Sequence, residues 1–559
     1  MTDPRDWHAG YCHPTPWATA IPPVSMSTLF DDSVARHADR PLIDFMGRRY
    51  SYAEVADGAR RVATGLARAG YGKGDRIGLF LPNVPHYVAA YFGALRLGAT
   101  VVNFSPLYSV DELVHQVEDS KTRLLFTLSA TALLPTALAV LAKSSLERVV
   151  VGSVAGALPA GKSLFYRLFR GKEVADRPAD PRVVAFSALI DNDGAHPPAA
   201  IQPARDAALI QYTGGTTGTP KGAVLTHANV AANARQVAGL DPHPDLPDRI
   251  LGVLPLFHVF ANTCVMNRTI VTGGEIVLLP RFDAGQALAA LARTKATALP
   301  GVPTMYQALL DHPRLPRTDL SALRICISGG AALNADLKAR WEAATGSTLV
   351  EGYGLSESAG VLTVNPYEGE RRPGTIGQPI PGTWLRLVDK EDPHRPAPTG
   401  QPGEIVAAGP QVMAGYWNRA DSDAATFVDG WLRTGDVGTI DADGYVTIVD
   451  RLKDMIAVGG FKVFPSRIET VLHQHPAVRE ALVIGIPDAY SGERVRAYVT
   501  LDADAAPVDG AALRDWLNKQ IGKHERADAV VVRDALPKTM IGKLSRKDLI
   551  AEVRALEGW

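Results

Sequence analysis

The sequence predicts an α/β protein. It has a large N-terminal domain of two doubly wound α/β lobes plus a small β-barrel-like subdomain, then a small α+β C-terminal domain. Three observations predict this. Strand and helix patterns alternate from about Arg76, the alternation returns after residue 206, and from Gly374 to Asp450 it gives way to short β-rich pieces separated by Gly, Pro and Asp. Alternation of that kind argues for parallel sheets covered by helices. A chain of 559 residues also has room for more than one core.

In the first lobe "RIGLFLPN" reads as a strand, "VPHYVAAYFGALRLG" as a helix ended by Gly98, and "TVVNF" as a strand. "SVDELVHQVEDS" opens with Ser109 and Glu112 at capping-box spacing and so starts a helix. Leu124 to Ala142 is 19 residues without a charge, the length of a membrane span. Thr127, Ser129, Thr131, Thr136 and Pro135 interrupt it, so the expected structure is a buried strand, "RLLFTL", followed by a packed helix. "SLFYRLFRGK", Ser163 to Lys172, mixes aromatics with Arg167, Arg170 and Lys172. That pattern suits either a membrane-surface helix or a solvated segment.

In the second lobe strands are expected at "ALIQYT", "ILGVLP", "GEIVLLP", "ATALPGVP", "LRICISGG" and "TLVEGYG". The β-rich part contributes "WLRLVD", "GEIVAAG" and "YVTIVD", with 391–402 as a surface loop. Beyond Arg451 the compact α+β segment holds "RIETVLHQHP", "REALVIGIPD", "RVRAYVTL" and a helix around "AALRDWLNKQIG".

With 58 basic and 59 acidic residues, charge gives no case for nucleic acid as a partner. Cys12, Cys264 and Cys326 are too few and too scattered for a disulfide framework or a zinc site, which suits a reducing cytosol. The first 20 residues carry no apolar signal core, so a cytoplasmic protein is expected. His473 and His475 are too isolated to make a metal site.

The stretch "YTGGTTGTPKGAVLTH", Tyr212 to His227, looks built to hold a phosphate. Glycines let backbone N–H groups approach an anion, while Thr213, Thr216, Thr217 and Thr219 offer hydroxyls and Lys221 a charge. It is not a Walker loop. Gly222 follows the lysine where Ser or Thr is needed, and "AVLTH" is β-like, so the expected arrangement is strand–loop–strand with a helix from about Ala228. "EGYGLSES" ends a predicted strand, where open α/β sheets bind ligands. There Tyr353 can stack on a base, Ser356 can bond a phosphate, and Glu357 is a hard oxygen ligand suited to Mg²⁺. "GWLRTGD" ends at Asp436, whose carboxylate can pair two ribose hydroxyls; "DRLKD" and "PKTMIGK" follow, the latter placing Lys543 on a Gly-containing loop.

Together these five ordered motifs resemble the acyl-adenylate-forming superfamily of acyl-CoA synthetases, luciferases and peptide-synthetase adenylation domains. The resemblance runs from "YSYAEVADGARRVATGL" to the end, and Asp429 to Glu469 is most similar to the fatty-acyl-CoA synthetase branch. It implies an AMP-forming ligase that joins a medium- or long-chain acid to CoA through an acyl-AMP, with ATP and CoA as co-substrates and Mg²⁺ as cofactor. It implies that Thr213, Gly214, Gly215, Thr216, Thr217, Gly218, Thr219 and Lys221 bind the ATP phosphates. Gly330 and Ala331 would meet the adenine edge, and Tyr353 its face, within a nucleotide site that includes Glu351, Gly352, Gly354 and Ser356. Thr213 and Glu357 would hold the metal, and Asp436 and Arg451 the ribose. Phe257, His258, Val302 and Pro303 would line the acyl pocket. Lys543 would bridge acid and α-phosphate, so that the catalytic set is Lys543, Glu357, His258 and Lys221.

The same resemblance implies a mobile C-terminal domain, 453–559, hinged at Lys453 on an N-terminal domain, 1–452, with Gly459, Gly460 and Phe461 at the CoA channel. Lys462 stands where many relatives carry Asn or Gln, and Ala457 where several aryl-acid ligases carry Lys. A dicarboxylate- or aryl-acid–CoA ligase shares every catalytic residue and stays open. So does a non-catalytic lipid-binding relative, although Lys543, Glu357 and Lys221 are all present. An amino-acid adenylation domain is disfavoured by His258, which stands where such domains carry Asp. Peripheral contact with the inner face of the cytoplasmic membrane, and a monomer or homodimer, are both compatible with the sequence.

Overall fold

The structure, a computed structural model, describes residues 10–213, 220–458, 461–488, 490–502, 505–506, 508–539 and 543–559. The chain forms two compact units. Among the described residues the larger gathers 10–384 together with Ala408–Thr426; the smaller contains Leu385–Ala407 and the described part of 427–559.

The larger unit holds two sheets. Across the first, the strands run Gln378–Pro379, Thr363–Val364, Thr348–Tyr353, Ile325–Gly329, Ala298–Gly301, Arg249–Gly252, Glu275–Leu278, Pro41–Phe45 and Arg48–Ser51. Thr348–Tyr353 through Pro41–Phe45 are mutually parallel, and antiparallel pieces close both edges. The second sheet runs Gly415–Tyr416, Lys221–Thr226, Ala207–Thr213, Thr100–Asn103, Arg76–Leu79, Thr122–Leu128, Arg148–Gly152 and Val183–Ala185. It is parallel from Ala207–Thr213 onward.

The helices between strands begin and end where the chain chemistry dictates. Ser51 with Glu54 and Ser109 with Glu112 form reciprocal capping boxes, each satisfying two otherwise orphaned N–H groups. Pro85–Arg96 stops before Gly98, whose φ of +76° suits glycine. The uncharged 124–142 run divides as expected into the buried strand Thr122–Leu128 and the helix Leu134–Lys143. Among the described residues no helix is long and apolar enough to cross a membrane.

One core cluster packs Tyr306, Trp341, Leu251, Leu291 and Leu349 beside the first sheet. A charged knot lies elsewhere in this unit: fully buried Arg268 reaches Asp241 at 3.0 Å and Asp248 at 2.6 Å. Pairing is what lets such charges stay buried.

The β-rich segment 374–450 is divided rather than gathered. Gln378–Pro379 joins the first large sheet and Gly415–Tyr416 joins the second, because both find antiparallel partners there. The rest forms a five-stranded sheet of the smaller unit: Trp384–Val388, Gly403–Ala408, Trp431–Ile440 and Phe427–Val428, with Val446–Arg451 on Trp431–Ile440.

The smaller unit's other sheet orders Phe461–Val463, Ile456–Val458, Gly492–Leu501 and Val478–Asp488, with Ala527–Val532 parallel to Gly492–Leu501. Side chains alternate across Val478–Asp488 as the pleat requires. Ala481 and Val483 pack with helices Pro465–Leu472 and Gly510–Gln520, whereas Leu482, Ile484 and Ile486 pack with Leu549 and Val553 of helix Arg546–Glu557.

Candidate active site

Four parallel neighbours of the first large sheet deliver candidate residues at their carboxyl ends. Thr348–Tyr353 carries Glu351, Gly352 and Tyr353, and Ile325–Gly329 leads to Gly330 and Ala331. Ala298–Gly301 leads to Val302 and Pro303, which open the helix Pro303–Leu310. Arg249–Gly252 leads into Phe257 and His258. Parallel pairing puts these ends on one edge, where such sheets bind ligands. Gly330 has a φ of +82°.

Gly354 passes so close to the chain that a Cβ there would fall 2.2 Å from the Gly360 carbonyl oxygen. Ser356 and Glu357 sit on the short turn Ser356–Ser358. Glu351 accepts a hydrogen bond from the Leu333 N–H at 3.1 Å, yet desolvation pushes its carboxyl up to about 8. His258 caps the turn Val259–Ala261, its Nδ1 accepting from Phe260 N–H at 3.3 Å. The chain then continues as a π-helical stretch, Asn262–Asn267, a distortion common beside functional sites.

The expected strands stand on both sides of the glycine–threonine stretch. Strands Ala207–Thr213 and Lys221–Thr226 pair antiparallel with Thr213 opposite Lys221, and a helix follows at His227–Ala238. Lys221 thus opens a strand where a Walker loop requires a helix. Thr213 donates its hydroxyl to the Lys221 carbonyl at 3.3 Å. Gly214, Gly215, Thr216, Thr217, Gly218 and Thr219 lie outside the described residues.

The structure adds residues that sequence reading missed. Gly415–Tyr416 pairs with Lys221–Thr226 and carries the Tyr416 ring to 5.3 Å from Lys221 Nζ. The Tyr416 hydroxyl donates to Glu357 Oε1 at 2.7 Å. Burial, reinforced by the neighbouring Glu357 charge, pushes this phenol far above its ordinary range, so it remains a donor.

Just behind, Asp119 accepts from the Tyr212 hydroxyl at 2.6 Å and pairs with Arg419, while its backbone carbonyl accepts from Trp417 Nε1 at 3.0 Å. Asp119 thus ties the residue before Thr213 to the segment that presents Tyr416. The only signal in the sequence was aromatic: "GYWNR" comes after the predicted strand "GEIVAAG" without a role of its own.

In the smaller unit, Asp436 and Arg451 stand opposite each other on paired strands, Arg451 Nε 2.9 Å from buried Asp436 Oδ1. Lys543 belongs to the same neighbourhood. Desolvation holds its ammonium down to about 8; repulsion from Arg451 acts in the same direction and Asp436 opposes it. The Thr539 N–H donates to the Lys543 carbonyl at 2.6 Å. Lys453 lies on the turn Leu452–Asp454, whose Asp454 pairs with Arg546 at 2.6 Å. Phe461 begins a strand, and Gly459 and Gly460 lie outside the described residues. Among the described residues no group of three or more His, Cys, Asp and Glu side chains is placed to hold a metal ion.

The chain matches the family described as AMP-binding enzyme over residues 30–417 and the AMP-binding enzyme C-terminal domain over 467–543. It is 37% identical over 556 residues to a long-chain-fatty-acid–CoA ligase of Bacillus subtilis, covering 99% of each chain. It is 36% identical to a feruloyl-CoA synthase of Amycolatopsis, covering 90% of this chain and 94% of that one. ATP-bound MatB from Rhodopseudomonas palustris superposes with a TM-score of 0.82 at 31% identity, covering 95% of this chain and 99% of that one.

Proposed function

The chain belongs to the AMP-binding enzyme family, and from that premise we propose that it is an AMP-forming acid–thiol ligase acting on long-chain fatty acids. A carboxylate is a poor acyl donor because its leaving group would be oxide. In this reading a carboxylate oxygen attacks the α-phosphorus of ATP, the bond to the β-phosphate oxygen breaks, and pyrophosphate leaves. The CoA thiolate then adds to the acyl carbon and AMP departs, leaving a thioester.

The barrier to the first step is the approach of two anions, so the chain's task is to place positive charge and hydrogen-bond donors where that charge gathers. Lys221, Thr213 and the glycine–threonine loop bind the phosphates, Tyr353 with Gly330 and Ala331 holds the adenine, and Asp436 with Arg451 holds the ribose. Lys543 offsets the charge between acid and α-phosphate. With its pKa lowered to about 8 it stays mostly charged near neutral pH, and an incoming anion favours the charged form further.

Glu357 suits Mg²⁺ on its chemistry: Tyr416 occupies only part of the acceptor capacity of a carboxylate. Glu357 and Thr213 would hold the ion, which when bound screens phosphate charge. His258 and Phe257, with Val302 and Pro303, line the acyl end. Lys453 as hinge between 1–452 and 453–559, and the 459–461 stretch as the thiol path, complete the reading. The chain acts in the cytoplasm.

The observation that carries the reaction class is the Lys221–Tyr416–Glu357 group beside the phosphate-loop strands. The substrate rests on full-length likeness to the Bacillus ligase. A second reading, an aryl-acid–CoA ligase, is favoured by the likeness to the feruloyl-CoA synthase. Acid-dependent exchange of labelled pyrophosphate into ATP separates them. Run with straight-chain acids from butyrate to stearate, dicarboxylates, benzoate and ferulate, it should peak with a long monoacid. A ferulate peak would establish the second reading, and no exchange with any acid would overturn the adenylation chemistry for these substrates.

A further inference from the structure

The helix Ala160–Phe169, "AGKSLFYRLF", leaves its largest apolar side chains in solvent. Leu164 is 60% exposed, Phe165 58%, Leu168 66% and Phe169 70%. At about 100° per residue these four span an arc of about 140°, the width of a stripe that globular helices turn inward. Here it points the other way. The half-buried side chains, Ser163 and Tyr166, lie on the opposite side. The segment is anchored at its start, where Arg48 donates to the Gly156 carbonyl at 2.7 Å, Tyr50 to the Ala157 carbonyl at 2.8 Å, and Lys162 to the Met46 carbonyl at 2.7 Å. The Phe165 and Phe169 rings, 4.7 Å apart, form one continuous patch.

Charge identifies the occupant. Between Glu147 and Glu173 the sequence contains no acid, whereas Lys162, Arg167, Arg170 and Lys172 fall within the helix or just beyond it. Arg170 pairs with Glu173; Lys172 is exposed. A second copy of this chain meeting the patch face to face would bring two such cationic sets together, which disfavours self-association. An anionic bilayer offers an apolar layer beneath negative headgroups, which is the complement of a leucine–phenylalanine face flanked by cations.

We propose that this helix docks the protein in the interface of an anionic phospholipid bilayer, with Leu164, Phe165, Leu168 and Phe169 inserted and the flanking cations at the headgroups. This goes beyond the proposed reaction and does not depend on it. None of these residues belongs to the candidate active site.

The test is co-sedimentation of the full-length protein with vesicles of equimolar phosphatidylglycerol and phosphatidylcholine, and with phosphatidylcholine vesicles alone. Binding to the anionic vesicles is expected, weakening as salt is raised. Leu164→Glu/Leu168→Glu should weaken it by at least about tenfold, and Lys172→Gln by about fivefold. Phe165→Ser/Phe169→Ser is a second apolar variant should the first fold poorly. Pyrophosphate exchange with a short, water-soluble acid should be unchanged in all of them.

Absence of binding to anionic vesicles, equal binding to both kinds, or binding untouched by the apolar variants would each overturn the proposal. So would self-association in sedimentation velocity that the apolar variants abolish, since the patch would then be a contact between copies. A dead exchange assay with intact, helix-dependent vesicle binding would count against the proposed reaction and leave this surface standing.

Discussion

Replacing Tyr416 with Phe removes one oxygen and leaves the ring beside Lys221. In the native protein that oxygen donates to Glu357 Oε1 at 2.7 Å. A hydrogen bond to a charged partner contributes about 1.5–3 kcal/mol, and losing its donor leaves the carboxylate free to turn. If Glu357 must face the nucleotide's metal, the loss appears in the adenylation step. It should then lower kcat/KM for ATP by about 10- to 150-fold, because each 1.36 kcal/mol is a factor of ten.

The assay is pyrophosphate exchange at saturating acid, with ATP and Mg²⁺ varied in turn. A purely structural role would lower the amount of folded enzyme without moving the Mg²⁺ dependence, so a rise in the Mg²⁺ needed for half-maximal rate is the diagnostic readout. Tyr416→Phe combined with Glu357→Gln should cost little more than Glu357→Gln alone, because the hydroxyl acts through that carboxylate. Unchanged kcat/KM together with an unchanged Mg²⁺ dependence would refute the reasoning, and additive losses in the double variant would refute the coupling.

Other expectations follow from the same geometry. Lys543 has its pKa lowered to about 8, so its ammonium is lost as pH rises, and kcat/KM for exchange should fall through about pH 8. Lys543→Arg should move that descending limb upward, because a guanidinium stays charged. Arg268→Ala takes the buried cation from Asp241 and leaves Asp248 only Arg324 and the Thr297 hydroxyl, and should cost about 3 kcal/mol, read by urea unfolding. Gly354→Ala drives a Cβ to 2.2 Å from the Gly360 carbonyl and should displace the 354–360 turn, abolishing exchange and lowering thermal stability by about 1–3 kcal/mol. Asp119→Asn should weaken the tie between Tyr212 and Arg419 and raise KM for ATP more than it lowers kcat.

What was legible in the sequence was local. Period and punctuation placed the strand Thr122–Leu128 and the helix Leu134–Lys143 inside an uncharged run, and the Ser109–Glu112 spacing marked a helix start that the structure shows as a capping box. The missing helix after Lys221 was readable because Gly222 and the β-like residues beyond it leave no place for one.

What was not legible depends on pairing across distance. Gln378–Pro379 and Gly415–Tyr416 look like neighbours in one β-rich segment, yet each finds its partner in a different large sheet. Asp119 meets Trp417 and Arg419 across 298 and 300 residues, a separation no local pattern encodes. Arg268, a lone charge in "VMNRTIV", meets Asp241 and Asp248 from 27 and 20 residues away, which no local pattern shows.

The Thr213–Lys221 pairing also bears on how such a chain can change. Side chains along Lys221–Thr226 alternate between the two faces of the sheet, so one residue inserted or deleted within that strand carries Lys221 to the side away from Tyr416. Length added between the two paired residues leaves the ladder's register untouched, and doubling a loop adds only about 0.6 kcal/mol to its closure. Descent can therefore experiment with the span between Thr213 and Lys221 while the reading frame of the strands stays fixed. Variants differing in the length of that span should keep lysine, tyrosine and carboxylate in contact, whereas a frame slip of one position inside the strand would separate them at once.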